Sequence, residues 1–326
     1  MSRATRQVQV ETYGDPDVMK VVEVELAAPE GKEVQVRLTA VGLNMIDTYF
    51  RTGLYPMPLP SVLGSEAAGV VEAIGADVAS ICVGDRVAFA SGMGAYADAI
   101  NIHEDVLCPI PDGVSEEQAA SLLLKGMTVD DLFCRSFALS GGEIVMLHAA
   151  AGGIGLIACQ WARHIGVQLI GTASSAEKCA LAVEYGASAC FESGRADLLQ
   201  QVKGVAPEKG FPVVYDSVGK DTFDLSLDAL APHGYLVSYG NSSGAPDPVP
   251  VGLLAAKGSL YLTRPTLGSF VGERAELLAS AGKVFKMLED GVLDANIRQR
   301  YKLEDVAQAH RDLQSRATTG CSVLIP

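Results

Sequence analysis

Apolar and polar positions follow two different rhythms along this chain. Up to about residue 125 the apolar residues come in short runs separated by glycine turns: Gln7–Val10, Val34–Ala40, Gly69–Ile74 and Arg86–Phe89. Runs of that length between turn residues predict strands. Gly84-Asp85 feeds the last of them, as in a small barrel-like β domain. A helix is predicted over Ser115–Leu124, with Ser115 and Gln118 spaced as an N-cap and its box partner. From about Thr128 to Thr263 the rhythm changes. Six predicted strands (Ile144–Leu147, Val167–Ile170, Ala189–Phe191, Val213–Tyr215, Tyr235–Tyr239 and Leu260–Thr263) alternate with amphipathic stretches. That alternation predicts a doubly wound parallel sheet. Beyond Arg264 come a predicted helix at Arg274–Glu289, the segment Asn296–Leu303 and a last strand at Cys321–Ile325. This tail reads as more of the first domain, so the sheet domain reads as an insertion.

The junction after Ile144–Leu147 carries the first candidate chemistry. The run enters Ala150-Ala151-Gly152-Gly153-Ile154-Gly155, and a helical pattern follows. Glycines there let a backbone approach a pyrophosphate, and the helix start offers unpaired N–H groups. Ala150 stands where the first glycine of the fingerprint would be. The glycines alone leave open a tight turn in some other α/β protein. The helical pattern narrows that choice: Gln160, Arg163 and His164 share a predicted solvent stripe, opposite Ile157, Ala158, Trp161 and Ile165. A stripe so narrow predicts a helix pressed on a sheet. An NAD site usually places a carboxylate about 20 residues past the turn. Here that region holds Thr172, Ser174, Ser175 and Lys178, with no carboxylate before Glu177. Hydroxyls with a cation suit a 2′-phosphate, which predicts NADPH.

Charge and composition limit the remaining classes. Net charge is −14, spread along the chain, which argues against nucleic acid or an anionic membrane as partner. Against that background, cations such as Lys178 and Arg316 gain interest as anchors for an anionic cofactor. No apolar run reaches the roughly 18 residues of a membrane helix, and the first residues contain no apolar signal core. Seven scattered cysteines without a C-x-x-C pair predict reduced thiols in a cytoplasmic protein, most of them small core residues. No repeat or low-complexity segment is visible, and 326 residues suggest two domains.

Longer segments carry a resemblance. GLNMIDTYFRTGLY (42–55), GSEAAGVVEAIG (64–75), GDRV (84–87), AAAGGIGLIACQWA (149–162), VVYDSVG (213–219), GNSSG (240–244), LTRPTLGS (262–269) and SRATTG (315–320) resemble bacterial NADPH:quinone oxidoreductases. These are zinc-independent members of the medium-chain dehydrogenase/reductase superfamily, relatives of zeta-crystallin. The resemblance runs almost end to end. It implies an α/β fold in which a GroES-like, β-rich catalytic domain (1–126 with 265–326) carries an inserted Rossmann domain for NADPH (127–264). It also bears on zinc. Asn44 stands where the alcohol dehydrogenase branch has a cysteine ligand, and Gly64-Ser65-Glu66 where it has Gly-His-Glu. Asparagine and serine are poor ligands for tetrahedral zinc. Residues 91–108 contain only Cys108, so the four-cysteine structural lobe is missing as well. No metal site is expected.

Without a Lewis acid, the substrate must accept hydride on its own electronic merit, as quinones and α,β-unsaturated carbonyls do; the protein supplies orientation and a dry site. The resemblance implies catalytic roles for Asn44, Asp47, Tyr49 and Tyr55, with Ile46 beside the nicotinamide end. The tyrosine hydroxyls are suited to a quinone oxygen as charge develops on it; aromatic packing at a turn is the plainer reading of both. Asp47 suits a structural or ribose-contacting role better than proton donation. The implied cofactor set further comprises Thr128, Asp131, Gly152, Gly153, Ile154, Gly155, Thr172, Ser174, Ser175, Lys178, Ser193, Ser217, Tyr239, Asn241 and Arg316. Lys125 and His148 also look family-like; a histidine closing a strand is more often structural. Ser193 replaces a common tyrosine, and Asp130-Asp131 a common Tyr-Tyr pair. Both changes should weaken NADPH binding and its preference over NADH. Reduction of quinones leads. The alternatives are reduction of activated C=C bonds in alkenals or 2-enones, and a non-enzymatic NADPH- or RNA-binding role. The resemblance also implies a homodimer joined through the edge strand at Gly258–Thr263.

Overall fold

The computed structural model describes residues 2–90 and 92–326. The chain forms two compact units: Met1–Met127 with Val271–Gly291 and Ala295–Pro326, and Thr128–Phe270 with Val292–Asp294.

The first unit is built on a seven-stranded sheet. Its order is Ile297–Lys302, Cys321–Ile325, Glu33–Gly42, Ala67–Ile74, Arg86–Phe89 and Cys108–Pro109, with Ala99–His103 also paired to Glu33–Gly42. A three-stranded sheet, Met19–Leu26, Arg3–Val10 and Ser61–Val62, completes the β layer. Val34, Val36, Leu38, Phe89, Tyr96 and Leu324 pack into one core with Val8 and Val10. Four strands went unpredicted: Ser61–Val62 and Cys108–Pro109 are only two residues each, and the other two lack a buried run. Met19–Leu26 alternates valine with Lys20, Glu23 and Glu25 and is largely exposed, so no buried run marks it. Ala99–His103 is short and only partly buried. The helix predicted from Ser115 exists and continues to Asp131. Its box is formed as read: Gln118 N–H donates to Ser115 Oγ at 3.2 Å, and Ser115 N–H to Gln118 Oε1 at 2.9 Å.

The second unit is a six-stranded sheet in the order Ala189–Glu192, Gln168–Ala173, Ile144–Leu147, Phe211–Asp216, Leu230–Ser238, Tyr261–Thr263. Every pairing is parallel. Winding starts at Ile144–Leu147, runs outward to Ala189–Glu192, then restarts beside the first strand at Phe211–Asp216. The strand order therefore reverses between Ile144–Leu147 and Phe211–Asp216, and ligands of such sheets bind beyond the strand ends at that point. The helix after the turn, Gly153–His164, is buried from Gly155 to Ala162. That corrects one reading: Gln160 does not face solvent. Its amide is buried, donating to the Leu156 carbonyl at 3.1 Å and accepting the Asp294 N–H at 2.7 Å. Polar character alone could not distinguish a solvated glutamine from one that holds a chain segment.

None of the seven cysteines forms a disulfide, and Cys108, Cys159, Cys179 and Cys321 are buried. Among the described residues, no helix is long and apolar enough to cross a membrane.

Candidate active site

In the second unit, the glycine turn is closed by backbone contact. The Ala150 N–H donates to the Thr172 carbonyl at 2.9 Å and the Gly152 N–H to the Ala149 carbonyl at 3.0 Å. Ala149 takes the left-handed conformation, φ 56°. The residue under backbone strain is thus Ala149, one position before the Ala150 that the fingerprint spacing singles out. Gly155 admits no side chain: a Cβ there would lie 2.4 Å from the Ala149 oxygen. Past it, the first N–H groups of a twelve-residue helix lack intrahelical acceptors. Gly152, Gly153 and Ile154 are half-buried, open enough to be reached.

The second strand ends at Ala173, and the chain then turns outward. Ser174 is exposed, Ser175 and Lys178 half-buried, and the Ser175 hydroxyl caps the next helix by accepting the Lys178 N–H at 3.3 Å. Ser193 is exposed. Hydroxyls, a cation and a helix start make a donor set that fits a phosphomonoester, and no carboxylate interrupts it before Glu177. Thr172 departs from this set. It is 1% exposed, and its hydroxyl lies 2.8 Å from His148 Nδ1, so it faces inward and cannot touch a cofactor phosphate. At the other side of the switch point, Gly219 and Gly240 hold two loops together. A Cβ on Gly219 would meet the Gly244 oxygen at 2.5 Å, and one on Gly240 the Ser217 oxygen at 2.6 Å. Ser217, Tyr239 and Asn241 sit half-buried in these loops. Thr128 is half-buried; Asp131 is 4% exposed, with Ser136 Oγ at 3.4 Å, and burial pushes its carboxyl up to about 6. A buried Asp131 does not present a free carboxylate to a ligand.

In the first unit, the Met45–Thr52 helix is fixed at its start by buried carboxylates. Asp47 Oδ2 accepts the Asn44 N–H at 3.0 Å and the Tyr96 hydroxyl at 3.0 Å, while Oδ1 accepts from Ser65 Oγ at 2.8 Å. Asp47 is 0% exposed, and burial, partly offset by these hydrogen bonds, raises its carboxyl to about 6. This corrects its assignment as a catalytic residue: all its oxygens are engaged inside the unit, so its role is to hold the helix start. The Tyr96 hydroxyl also lies 2.9 Å from His310 Nε2. Beside this group, Asn44 Nδ2 donates to Glu66 Oε2 at 2.9 Å, and the same oxygen accepts from Lys125 Nζ at 3.0 Å. Glu66 Oε1 takes the Leu124 N–H at 2.6 Å. Burial alone would lower the Lys125 pKa, but the Glu66 charge outweighs it and the ammonium is held charged. Ile46 and Tyr55 are half-buried, and Tyr49 is buried in an edge-on contact with Tyr55 at 5.2 Å. Arg316 is exposed and left-handed, φ 62°.

Tyr96, Glu66, Ser65 and His310 were not predicted as site residues, and Lys125 was singled out only by its family-like segment. Gly64-Ser65-Glu66 was visible as a motif, but the partners of Ser65 and Glu66 come from segments far along the chain. Among the described residues, no three His, Cys, Asp or Glu side chains are placed to hold a metal.

Comparison with known proteins agrees on both units. The family model described as the alcohol dehydrogenase GroES-like domain matches residues 30–112, and the one described as zinc-binding dehydrogenase matches 153–284. The chain is 49% identical to the quinone oxidoreductase of Pseudomonas aeruginosa, across 98% of this chain and 99% of that one. It is 38% identical to a 2-haloacrylate reductase from Burkholderia sp, across 96% of each. The crystal structure of Escherichia coli quinone oxidoreductase complexed with NADPH superposes with a TM-score of 0.97 at 44% identity, covering 98% of this chain and 100% of that one.

Proposed function

The chain belongs to the quinone oxidoreductase family, within the medium-chain dehydrogenases and reductases, and on that premise we propose that it passes hydride from NADPH to quinones without zinc. The observation that carries this reading is the donor set at the end of the second Rossmann strand, Ser174, Ser175 and Lys178 with no carboxylate before Glu177. NADPH held there supplies the hydride. The N–H groups of Gly153–Gly155 would receive the pyrophosphate, Ser193 would lie at the adenosine phosphate side, and Thr128, Ser217, Tyr239 and Asn241 would line the nicotinamide side. The second unit is the cofactor domain and the first the catalytic one.

In the catalytic domain, Asn44 is held at its side chain by Glu66 and at its backbone N–H by Asp47. Its amide nitrogen is engaged with Glu66 and the Gly42 carbonyl, so the Tyr55 hydroxyl supplies the hydrogen bond to the substrate oxygen as it gains charge. Water completes protonation. Asn44 and Ser65, in the positions where zinc-dependent relatives carry ligands, leave no thiolate or imidazole for a metal, and the Lys125 ammonium keeps positive charge next to Asn44.

A second acceptor class has its own support: similarity to a 2-haloacrylate reductase favours activated C=C bonds. Stopped-flow oxidation of NADPH with 1,4-benzoquinone, 9,10-phenanthrenequinone and a 2-alkenal separates the two. Quinone turnover faster than alkenal turnover is expected. Alkenal turnover alone would move the protein to the double-bond reductases, and binding without any turnover would make it a sensor.

The protein is further read as a cytoplasmic homodimer joined through Tyr261–Thr263, which is the outer strand of its sheet and carries Tyr261 half-exposed and stacked on Tyr235 at 4.5 Å.

A further inference from the structure

One buried hydrogen-bond chain in the Rossmann unit connects segments assigned above to different parts of the cofactor. It starts at Asp216, 1% exposed, the last residue of its strand. Asp216 Oδ1 accepts the N–H groups of Val218 at 2.8 Å and Gly219 at 3.0 Å, and Oδ2 accepts from Ser226 Oγ at 2.8 Å. Thr222 Oγ1 lies within 2.9 Å of both oxygens. Ser226 Oγ is 3.0 Å from His148 Nε2, and His148 Nδ1 is 2.8 Å from Thr172 Oγ1. His148 and Ser226 are both 0% exposed.

The chain has a direction. A carboxylate only accepts, so Ser226 spends its single proton on Asp216 and can accept only from His148. Nε2 therefore carries the imidazole proton, Nδ1 is an acceptor, and Thr172 donates to it. Burial lowers the His148 pKa and keeps the ring neutral, in keeping with this arrangement. Thr172 in turn holds the pyrophosphate turn, its carbonyl accepting the Ala150 N–H at 2.9 Å, and stands two residues before Ser174.

We propose that Asp216 is a positioning residue for the cofactor: through Ser226 and His148 it fixes the Thr172 side chain, and with it the spacing between the pyrophosphate turn and the segment that takes the 2′-phosphate. The proposal rests on the NADPH reading above. In Asp216→Asn, the two backbone N–H donors keep the amide oxygen at the Oδ1 position. The amide nitrogen then faces Ser226 and donates to it. Ser226 turns its proton to His148 Nε2, the ring proton moves to Nδ1, and the Thr172 hydroxyl loses its acceptor. A single substitution reverses the whole chain.

Nitrogen NMR of histidine-labelled protein reads the tautomer directly, and nicotinamide fluorescence gives the dissociation constants. Wild type should carry the His148 proton on Nε2 and Asp216→Asn on Nδ1. NADPH binding should weaken about tenfold in the variant and NADH binding by less than about threefold, the scale of one misdirected hydrogen bond. Wild type protonated on Nδ1, or a reversed tautomer with an unchanged NADPH-to-NADH ratio, would overturn the proposal. Should Asp216→Asn not fold, Thr172→Val removes the last donor and should show the same NADPH-selective loss; equal loss for both cofactors would overturn it too. Failure of wild type to bind NADPH would instead sink the cofactor reading, with the tautomer still deciding the direction of the chain.

Discussion

Lys125 and Glu66 place opposite charges inside the first unit, with side chains only 6% and 0% exposed. Removing one member of such a pair leaves a charge buried without its counterion, which costs about 3–5 kcal/mol, whereas replacing both by apolar groups often costs little. Lys125→Met should therefore destabilise the protein by that amount, and Lys125→Met with Glu66→Leu should recover part of it in urea unfolding. A loss in the double variant equal to the sum of the two single losses would mean that the pair is not coupled. His310 presents the opposite problem. Burial, aided by the Arg51 charge, lowers its pKa to about 3, and its Nδ1 has no partner among the described residues. The unfolded chain binds a proton at this residue below about pH 6.5, while the folded protein does not until about pH 3. Stability is therefore lost as pH falls from 6.5, by about 1.4 kcal/mol per pH unit. His310→Gln should lack this dependence. The stability difference between the two proteins should shift toward the variant by that slope between pH 6.5 and 4, measured by denaturant titration. Parallel curves would show that His310 is protonated in the folded state.

The elements were legible where burial and periodicity coincide. Ile144–Leu147, Arg86–Phe89, Arg274–Glu289 and Cys321–Ile325 are observed at their predicted bounds, because each is a run with a buried face and sharp ends. The Met45–Thr52 helix was not read as a helix at all. Its start depends on Asp47, whose partners Ser65 and Tyr96 lie 18 and 49 residues away in sequence, and no local pattern reports such bonds. The cofactor turn was legible from its glycines, yet Thr172 was misread because hydroxyl spacing does not tell which way a strand residue points. Gly155 tests the element directly. A methyl group there would meet backbone at 2.4 Å, and the helix could move away only by opening the turn. Gly155→Ala should destabilise by about 1–3 kcal/mol, as overpacking does, and should weaken NADPH binding more than tenfold. Unchanged binding in a calorimetric titration would show that the turn tolerates a wider helix approach than the structure implies.

For the molecule as a whole, the division of labour follows from which residues each unit can spare. The Rossmann unit keeps accessible hydroxyls and cations at its strand ends, while the first unit locks its acidic groups into Asn44, Ser65, Tyr96 and Lys125. Net charge of −14 makes the local positive character at Lys178 more consequential for an anionic cofactor. On the proposed reading, a hydroxyl–lysine set selects the 2′-phosphate for a hydride transfer that needs no metal. The most direct test is kcat/KM for NADPH and for NADH with 1,4-benzoquinone, in chelator-treated wild type and Lys178→Ala. Turnover should survive chelation, wild type should prefer NADPH, and that preference should fall about tenfold in the variant, the scale of one charge-assisted hydrogen bond. Equal use of NADH and NADPH by wild type, or activity lost to the chelator and restored by zinc, would contradict that reading.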